Sequence, residues 1–275
     1  MSSVSRSVGR PVSRSVLAGQ SNDLASIIKN LFSNNEQGFF YDPDDLSTMF
    51  QDAAGIVPVT AVGQPVGLIR DKSGRNNHAY QTTLASRPIL RKNAVTGANY
   101  LEFDGSDDSL QTDSIDFTAT DKVSLFAGVR RLSDVGVSII AEFSTNSAIN
   151  TNSFYLVGLS NSALQFNSRG SGNSATTSSQ RFPAPAPVVI SSVGDISGKV
   201  SKIRANSGGY AVNVGDQGTG NYGNYPLYIG RRGGAALPFN GHIYGLIGIG
   251  KLVSDNEIVN IEKELAKRVG VTLNV

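Results

Sequence analysis

Between Val57 and about Leu252 the chain is cut into short β-favouring runs by clusters of Gly, Asn, Ser and Asp. No other feature constrains the fold as much. Turn signals recurring every ~8–12 residues leave little room for helices and imply many short strands in an all-β sandwich or barrel. The candidate strands are Tyr100–Phe103, Val123–Arg130, Ser138–Phe143, Phe154–Leu159, Ala163–Asn167, Pro187–Val193, Lys199–Ala205, Tyr210–Val214, Leu227–Gly230 and Phe239–Ile249. Thirty glycines suit such a chain, because tight turns need positive φ. The run Arg181–Pro187 reads as an extended connector whose prolines end strand pairing.

Composition removes several classes. With no cysteine there is no disulfide framework, thiolate metal site or thiol nucleophile. The two histidines, His78 and His242, are too few for a multi-histidine metal site within one chain. No apolar run reaches the roughly 18 residues of a spanning helix. A hydrophobic fraction of 39% is enough for a packed core.

The net charge of +2 hides an asymmetry. Residues 1–20 carry Arg6, Arg10 and Arg14 and no acid, so the remainder sums to −1. This segment lacks the apolar stretch of a secretory signal, and Gly9 and Pro11 spoil an amphipathic transit helix. Val4, Val8, Val12 and Val16 recur every four residues, as do the three arginines, all at even positions. In an extended chain all seven would share one face. The segment is therefore read as an anchoring arm that lays Val into pockets, and Arg onto carboxylates, of a partner protein. A floppy tail is the plainer reading. Three arginines without a lysine cluster argue against nucleic acid.

Over 21–55 the expectation is helical. Ser21 or Asn22 caps a helix whose Leu24, Ile27, Ile28 and Leu31 form one apolar face. A second turn has Asp42 as cap, Pro43 at the first position, and Leu46, Met49 and Phe50 as its buried side. Asp42, Asp44 and Asp45 are then explained by capping and the helix dipole rather than by a metal. Residues 56–275 form the body, closing with a helix over 254–269. There Ser254 and Glu257 make a capping box, Ile258, Ile261 and Leu265 an apolar stripe, Lys267 and Arg268 a basic last turn, and Gly270 a stop.

Three segments, in order, resemble the concanavalin A-like lectin/glucanase superfamily in its laminin-G/pentraxin-like branch. Asp71–Ala79 is similar to a D-x-S-G-x-x-N-H-A turn, and Tyr100–Leu110 to an L-x-F-D-G-x-D-D-x-L strand and turn. Leu227–Arg231 followed by Phe239–Ile249 is similar to that family's returning strand pair. The match covers about residues 40–270 and implies a two-sheet antiparallel jelly roll. The arm, the stretch Tyr41–Asp52 and such a domain together resemble virion proteins of tailed bacteriophages; that origin is implied by resemblance alone.

A glucanase of this superfamily would carry E-x-D-x-E or E-x-D-x-x-E, whose alternation puts the carboxylates on one strand face. Neither spacing occurs, and Glu142 is the lone strand-like carboxylate of its kind. His78 is read as bonding its own loop backbone, since a base needs a nucleophile and an orienting partner. No G-x-S-x-G elbow or G-K-[ST] phosphate loop appears. Asp104, Asp107 and Asp108 are weak calcium candidates, with a hairpin turn around Gly105 as the favoured explanation. Tyr222 and Tyr225 are candidates for stacking on a sugar or for plugging the sandwich. Arg231 and Arg232 are read as an anionic-ligand site or a solvated turn.

The leading expectation is a non-enzymatic virion structural protein, without cofactor, anchored by its arm to capsid or tail and assembling symmetrically. The alternative is a lectin module for host surface glycan. A glycoside hydrolase is third, for want of the carboxylate pair.

Overall fold

A computed structural model describes residues 24–177 and 180–273. The arm residues Val4, Arg6, Val8, Arg10, Val12, Arg14 and Val16 lie outside the described residues. Helix α1 (Leu24–Leu31) is followed by β1 (Gly38–Tyr41), β2 (Met49–Phe50), β3 (Leu68–Ile69), β4 (Ala79–Tyr80), β5 (Ile89–Lys92), β6 (Asn99–Asp104), β7 (Leu110–Asp116) and β8 (Lys122–Arg131). Then come β9 (Ser138–Phe143), β10 (Ser153–Gly158), β11 (Leu164–Arg169), β12 (Ser174–Thr177), β13 (Ala186–Asp195), β14 (Val200–Ala205), β15 (Ala211–Asn213), β16 (Asn224–Ile229), β17 (Asn240–Ile249) and α2 (Asp255–Val269).

The strands form two antiparallel sheets, as the turn-rich pattern implied. The back sheet runs β15-β14-β13-β8-β17-β6-β5, and the front sheet β12-β11-β10-β9-β16-β7-β4-β3-β2. The long strand β17 pairs with β8 along one edge; on the other edge β6 and β1 sit end to end. Between the sheets lies a core that includes Phe103, Phe117, Phe143, Phe154, Phe166 and Phe239. A second apolar cluster fills the space between the back sheet's outer face and both helices, joining Phe126, Val189 and Ile247 to Ile28, Ile258, Ile261 and Leu265. Helix packing therefore consumes the back face, and among the described residues no helix packs on the front face.

Helix α2 sits close because two glycines lie beneath it. Gly128 and Gly245 are cross-strand partners. A Cβ on Gly128 would lie 2.9 Å from Val269 Cγ2, and one on Gly245 3.0 Å from Leu265 Cδ2. The expected capping box of Ser254 and Glu257 is present, and Gly270 ends the helix at φ 82°.

The 21–55 segment departs from expectation. Its first helix forms with the four expected residues buried. In place of the second, a single 3-10 turn spans Leu46–Thr48, capped by Asp45 rather than Asp42. Asp42 instead bonds Lys72 Nζ (3.1 Å) and Arg268, while Asp44 Oδ1 accepts from Asn99 N–H (2.7 Å). The segment also supplies β1 to the back sheet and β2 to the front one. Every residue of β1 is buried, so no alternation marks it as a strand.

Candidate functional site

One row of directly opposed residues crosses the front face: Phe50, Leu68, Tyr80, Gln111, Tyr228, Glu142, Tyr155 and Asn167. Their neighbours Met49, Ile69, Ala79, Leu227, Ile229, Phe143 and Phe166 point into the core, so the row faces outward.

The half of the row around Glu142 is closed. Glu142 is 0% exposed. Its carboxylate accepts from Arg232 Nε (3.0 Å to each oxygen), Ser147 N–H (2.8 Å) and Ser147 Oγ (2.5 Å). The Arg232 guanidinium also lies 5.8 Å from the Tyr155 ring centroid. A carboxylate spent in this way is a strut between strand and loop, not an available acid or base.

The other half opens into a cavity of about 640 Å³ lined by Ala53, Ala54, Leu68, Arg70, Asp71, Asn76, Asn77, His78, Tyr80 and Asp113. Its wall is the turn from β3 to β4. Asp71, 8% exposed, organises that turn. Its Oδ1 accepts from Phe40 N–H and Ser73 N–H (both 2.8 Å). Its Oδ2 accepts from Ser73 Oγ (2.7 Å) and Asn77 N–H (3.0 Å). Asn77 Nδ2 donates to Gly38 O (2.6 Å), and the Tyr41 hydroxyl to Asn77 O (2.5 Å), so the turn is clasped to β1.

His78 bonds its loop backbone, as expected: Asp71 N–H donates to Nδ1 at 3.1 Å. An accepting Nδ1 puts the ring proton on Nε2. The Tyr80 hydroxyl donates to Asp113 Oδ1 at 2.8 Å, and this bond, with partial burial, raises the phenol above its usual 10. Arg70 lies with its guanidinium carbon 4.5 Å from the Phe50 ring centroid.

The four sequence candidates for sugar contact do not form one site. Tyr222 is 1% exposed, with its hydroxyl 2.6 Å from Ser168 Oγ and its ring edge-on to Phe154. Burial raises its phenol well above the usual range. It plugs the sandwich and presents no platform to a sugar. Tyr225 is half-buried against the core, its ring 5.7 Å from that of Phe143. Arg231 donates to Asp107 O (3.3 Å) and Ala235 O (2.7 Å), holding its loop, and Arg232 is taken by Glu142. Arg70, Tyr80 and Asp113 escaped the sequence reading. The available signal was two-residue alternation, Leu68-x-Arg70 and His78-x-Tyr80, on either side of the Asp71 turn.

Ligand atoms of Asp104, Asp107 and Asp108 lie within 4.8 Å of one another. The turn also holds itself. Gly105 has φ 78°. Asp104 Oδ1 accepts from Ser106 N–H (2.8 Å), and Asp104 N–H donates to Asp108 Oδ2 (3.0 Å). Burial, reinforced by Asp104, Asp107 and Glu102, pushes Asp108 from 3.8 up to about 7. On the back sheet, burial pulls His242, stacked 4.0 Å from Tyr100, from 6.5 down to about 4.

These two shifts oppose each other. Between 4 and 6.5 the unfolded chain protonates His242 and the folded chain does not, so this group destabilises as pH falls. Between 3.8 and 7 the folded chain holds the Asp108 proton and the unfolded chain does not, so this group stabilises as pH falls. Relative to the parent, Asp108→Asn is expected to lose stability on acidification through this window, and His242→Gln to gain it. Each change is on the order of 2–4 kcal/mol. Urea midpoints across the window check both signs.

No protein-family model and no curated protein matches the chain. Solved structures do. A GH54 α-L-arabinofuranosidase aligns over 90% of this chain and 66% of its own, at 11% identity and TM-score 0.60. A botulinum neurotoxin type C structure, for which uptake into cells depends upon interaction with two ganglioside molecules, aligns over 86% and 53%, at 12% and 0.55. The ligand-binding domain of botulinum neurotoxin serotype D, in complex with N-acetylneuraminic acid, aligns over 86% and 52%, at 10% and 0.56. The chain thus spans about half to two thirds of the length of these structures. The shared feature is the fold, a two-sheet jelly-roll sandwich.

Proposed function

We propose that the chain is a non-catalytic carbohydrate-binding module whose ligand lies in the front-face pocket. The observation that carries this reading is the pocket. It sets the Tyr80 ring and Leu68 beside Arg70, His78 and Asp113 on the sheet face that the helices leave open. An apolar floor with a few convergent polar groups suits a sugar, whose C–H face stacks and whose hydroxyls need both donors and acceptors. The glycan ligands named for the neurotoxin structures point the same way. Against hydrolysis, Glu142 is spent on Arg232 and Ser147, which leaves Asp113 without a second free carboxylate on this face among the described residues. The Asp104–Asp108 turn is assigned to hairpin closure rather than to calcium. On a glycan array, Tyr80→Ala is expected to weaken binding by roughly tenfold or more, since an aromatic contact contributes about 1–3 kcal/mol. Tyr222→Phe should bind as the parent does. Absence of any glycan binding by the parent overturns the proposal.

The sequence carries a second, compatible reading. The Val/Arg strip of residues 4–16 suits an arm bound to a partner protein, and we propose that it tethers the body to a virion, in several symmetric copies. Deleting residues 2–18 would then abolish particle association and leave the melting temperature of the body unchanged. Unaltered association counts against the tether.

A further inference from the structure

We infer that the front-face pocket selects a sugar bearing a carboxylate, and that Arg70 is the group that pairs with it. The inference rests on the carbohydrate-binding reading and names the ligand class of the same site.

The polar groups of the pocket differ in what they have left to offer a ligand. Asp71 already accepts four hydrogen bonds, two on each oxygen. Asp113 accepts the Tyr80 hydroxyl on Oδ1 and keeps Oδ2 for a ligand hydroxyl. His78 has its Nδ1 occupied and offers Nε2–H. Arg70 differs from all of them. Its side chain has no hydrogen-bond or ion-pair partner among the described residues. Its guanidinium carbon lies over the Phe50 ring.

That contact decides how Arg70 can act. A guanidinium over an aromatic ring is attracted by the ring's π face, and none of its five N–H donors bonds to another described residue. The side chain is held by an aromatic partner without losing hydrogen-bonding capacity. A planar fork so held matches the two oxygens of a carboxylate in a bidentate pair. Leu68 and Tyr80 are cross-strand partners and line the same cavity as Arg70, so a pyranose ring seated there has the fork among its neighbours. A doubly charged phosphate suits the pocket less well, because Asp113 lines it too.

The test is a glycan array followed by titration calorimetry on the full chain. The probes are matched pairs: an oligouronate and its methyl ester, and a sialylated oligosaccharide and its asialo form. The acidic member is expected to bind at least about tenfold more tightly, a difference of ~1.4 kcal/mol. The preference should shrink as salt rises. Arg70→Gln should bring the two members of a pair to equal affinity without altering the melting temperature, because Arg70 is exposed. Arg70→Lys should restore only part of the preference, since it keeps charge but not the fork. Equal binding of the pair by the parent, a preference that survives Arg70→Gln, or tighter binding of sulfated than of carboxylated glycans overturns the inference and leaves the carbohydrate-binding reading standing. Binding of no glycan at all overturns that reading instead.

Discussion

Glu262→Ala is expected to destabilise the protein by about 3–5 kcal/mol, the cost of breaking a buried ion pair from one side. Glu262 is 1% exposed in the middle of α2. It accepts from Arg204 Nε (2.7 Å) and Nη2 (2.8 Å), Ser191 Oγ (2.6 Å) and Ser207 Oγ (2.7 Å). Alanine would strand the Arg204 guanidinium and two hydroxyls at the seam between helix and back sheet. A domain of this size shifts by roughly 2–4 °C per kcal/mol, so the melting temperature should fall by about 10 °C. Glu264→Ala is the control. Its partner Lys267 is 69% exposed, and an exposed pair contributes about 0–1 kcal/mol. Equal losses in the two variants would show that α2 is held by its apolar stripe alone. Glu262→Gln should fall between them, because it keeps an acceptor and loses the charge that Arg204 requires.

Asp71→Asn should be almost as damaging as Asp71→Ala, at about 3–5 kcal/mol, although it changes a single atom. Each Asp71 oxygen accepts two hydrogen bonds, so the site contains donors only. An amide would turn its NH₂ toward either the pair Phe40 N–H and Ser73 N–H or the pair Ser73 Oγ and Asn77 N–H. Each buried donor left unpaired costs about 1–3 kcal/mol. The Phe40 bond ties β1 to the turn, and that turn also supplies Asn76, Asn77 and His78 to the pocket. Asp71→Asn is therefore expected to lose ligand binding along with thermal stability. Chemical denaturation and calorimetry on one preparation would show both. A stable Asp71→Asn variant would mean that the clasp does not hold β1 in place.

The contrast between Asp71 and Tyr222 shows what could be read in advance. The motif Asp71–Ala79 identifies a structured turn because its Asp, Ser, Asn and His are each suited to bonding a loop backbone, a local matter. Tyr222 sits in a Gly/Asn-rich stretch that looks like an exposed loop. Only the fold brings Ser168 to its hydroxyl and Phe154 to its ring. Glu142 is similar. Its solitude on a strand was legible, whereas its partner Arg232 is 90 residues away. The candidate strands omitted β1, β2, β3, β4, β5, β7 and β12; β1 is buried along its whole length and β2, β3 and β4 span two residues each, so these four leave no periodic trace.

Local periodicity alone determined the all-β class, most strand positions, the first helix and the capped last one. These follow from patterns a few residues long, whose physics is complete within the chain segment. The tertiary structure decided which sheet face carries the helices, which carboxylates are spent, and that the Arg70 side chain of the front-face cavity has no hydrogen-bond or ion-pair partner among the described residues. Each of those depends on groups far apart in sequence meeting across strands, and no local pattern records where such meetings occur. The arm expected over residues 1–20 lies outside the described residues. The ligand chemistry proposed for the body rests instead on Arg70, which stood out only once Phe50, Tyr80 and Asp113 were placed beside it.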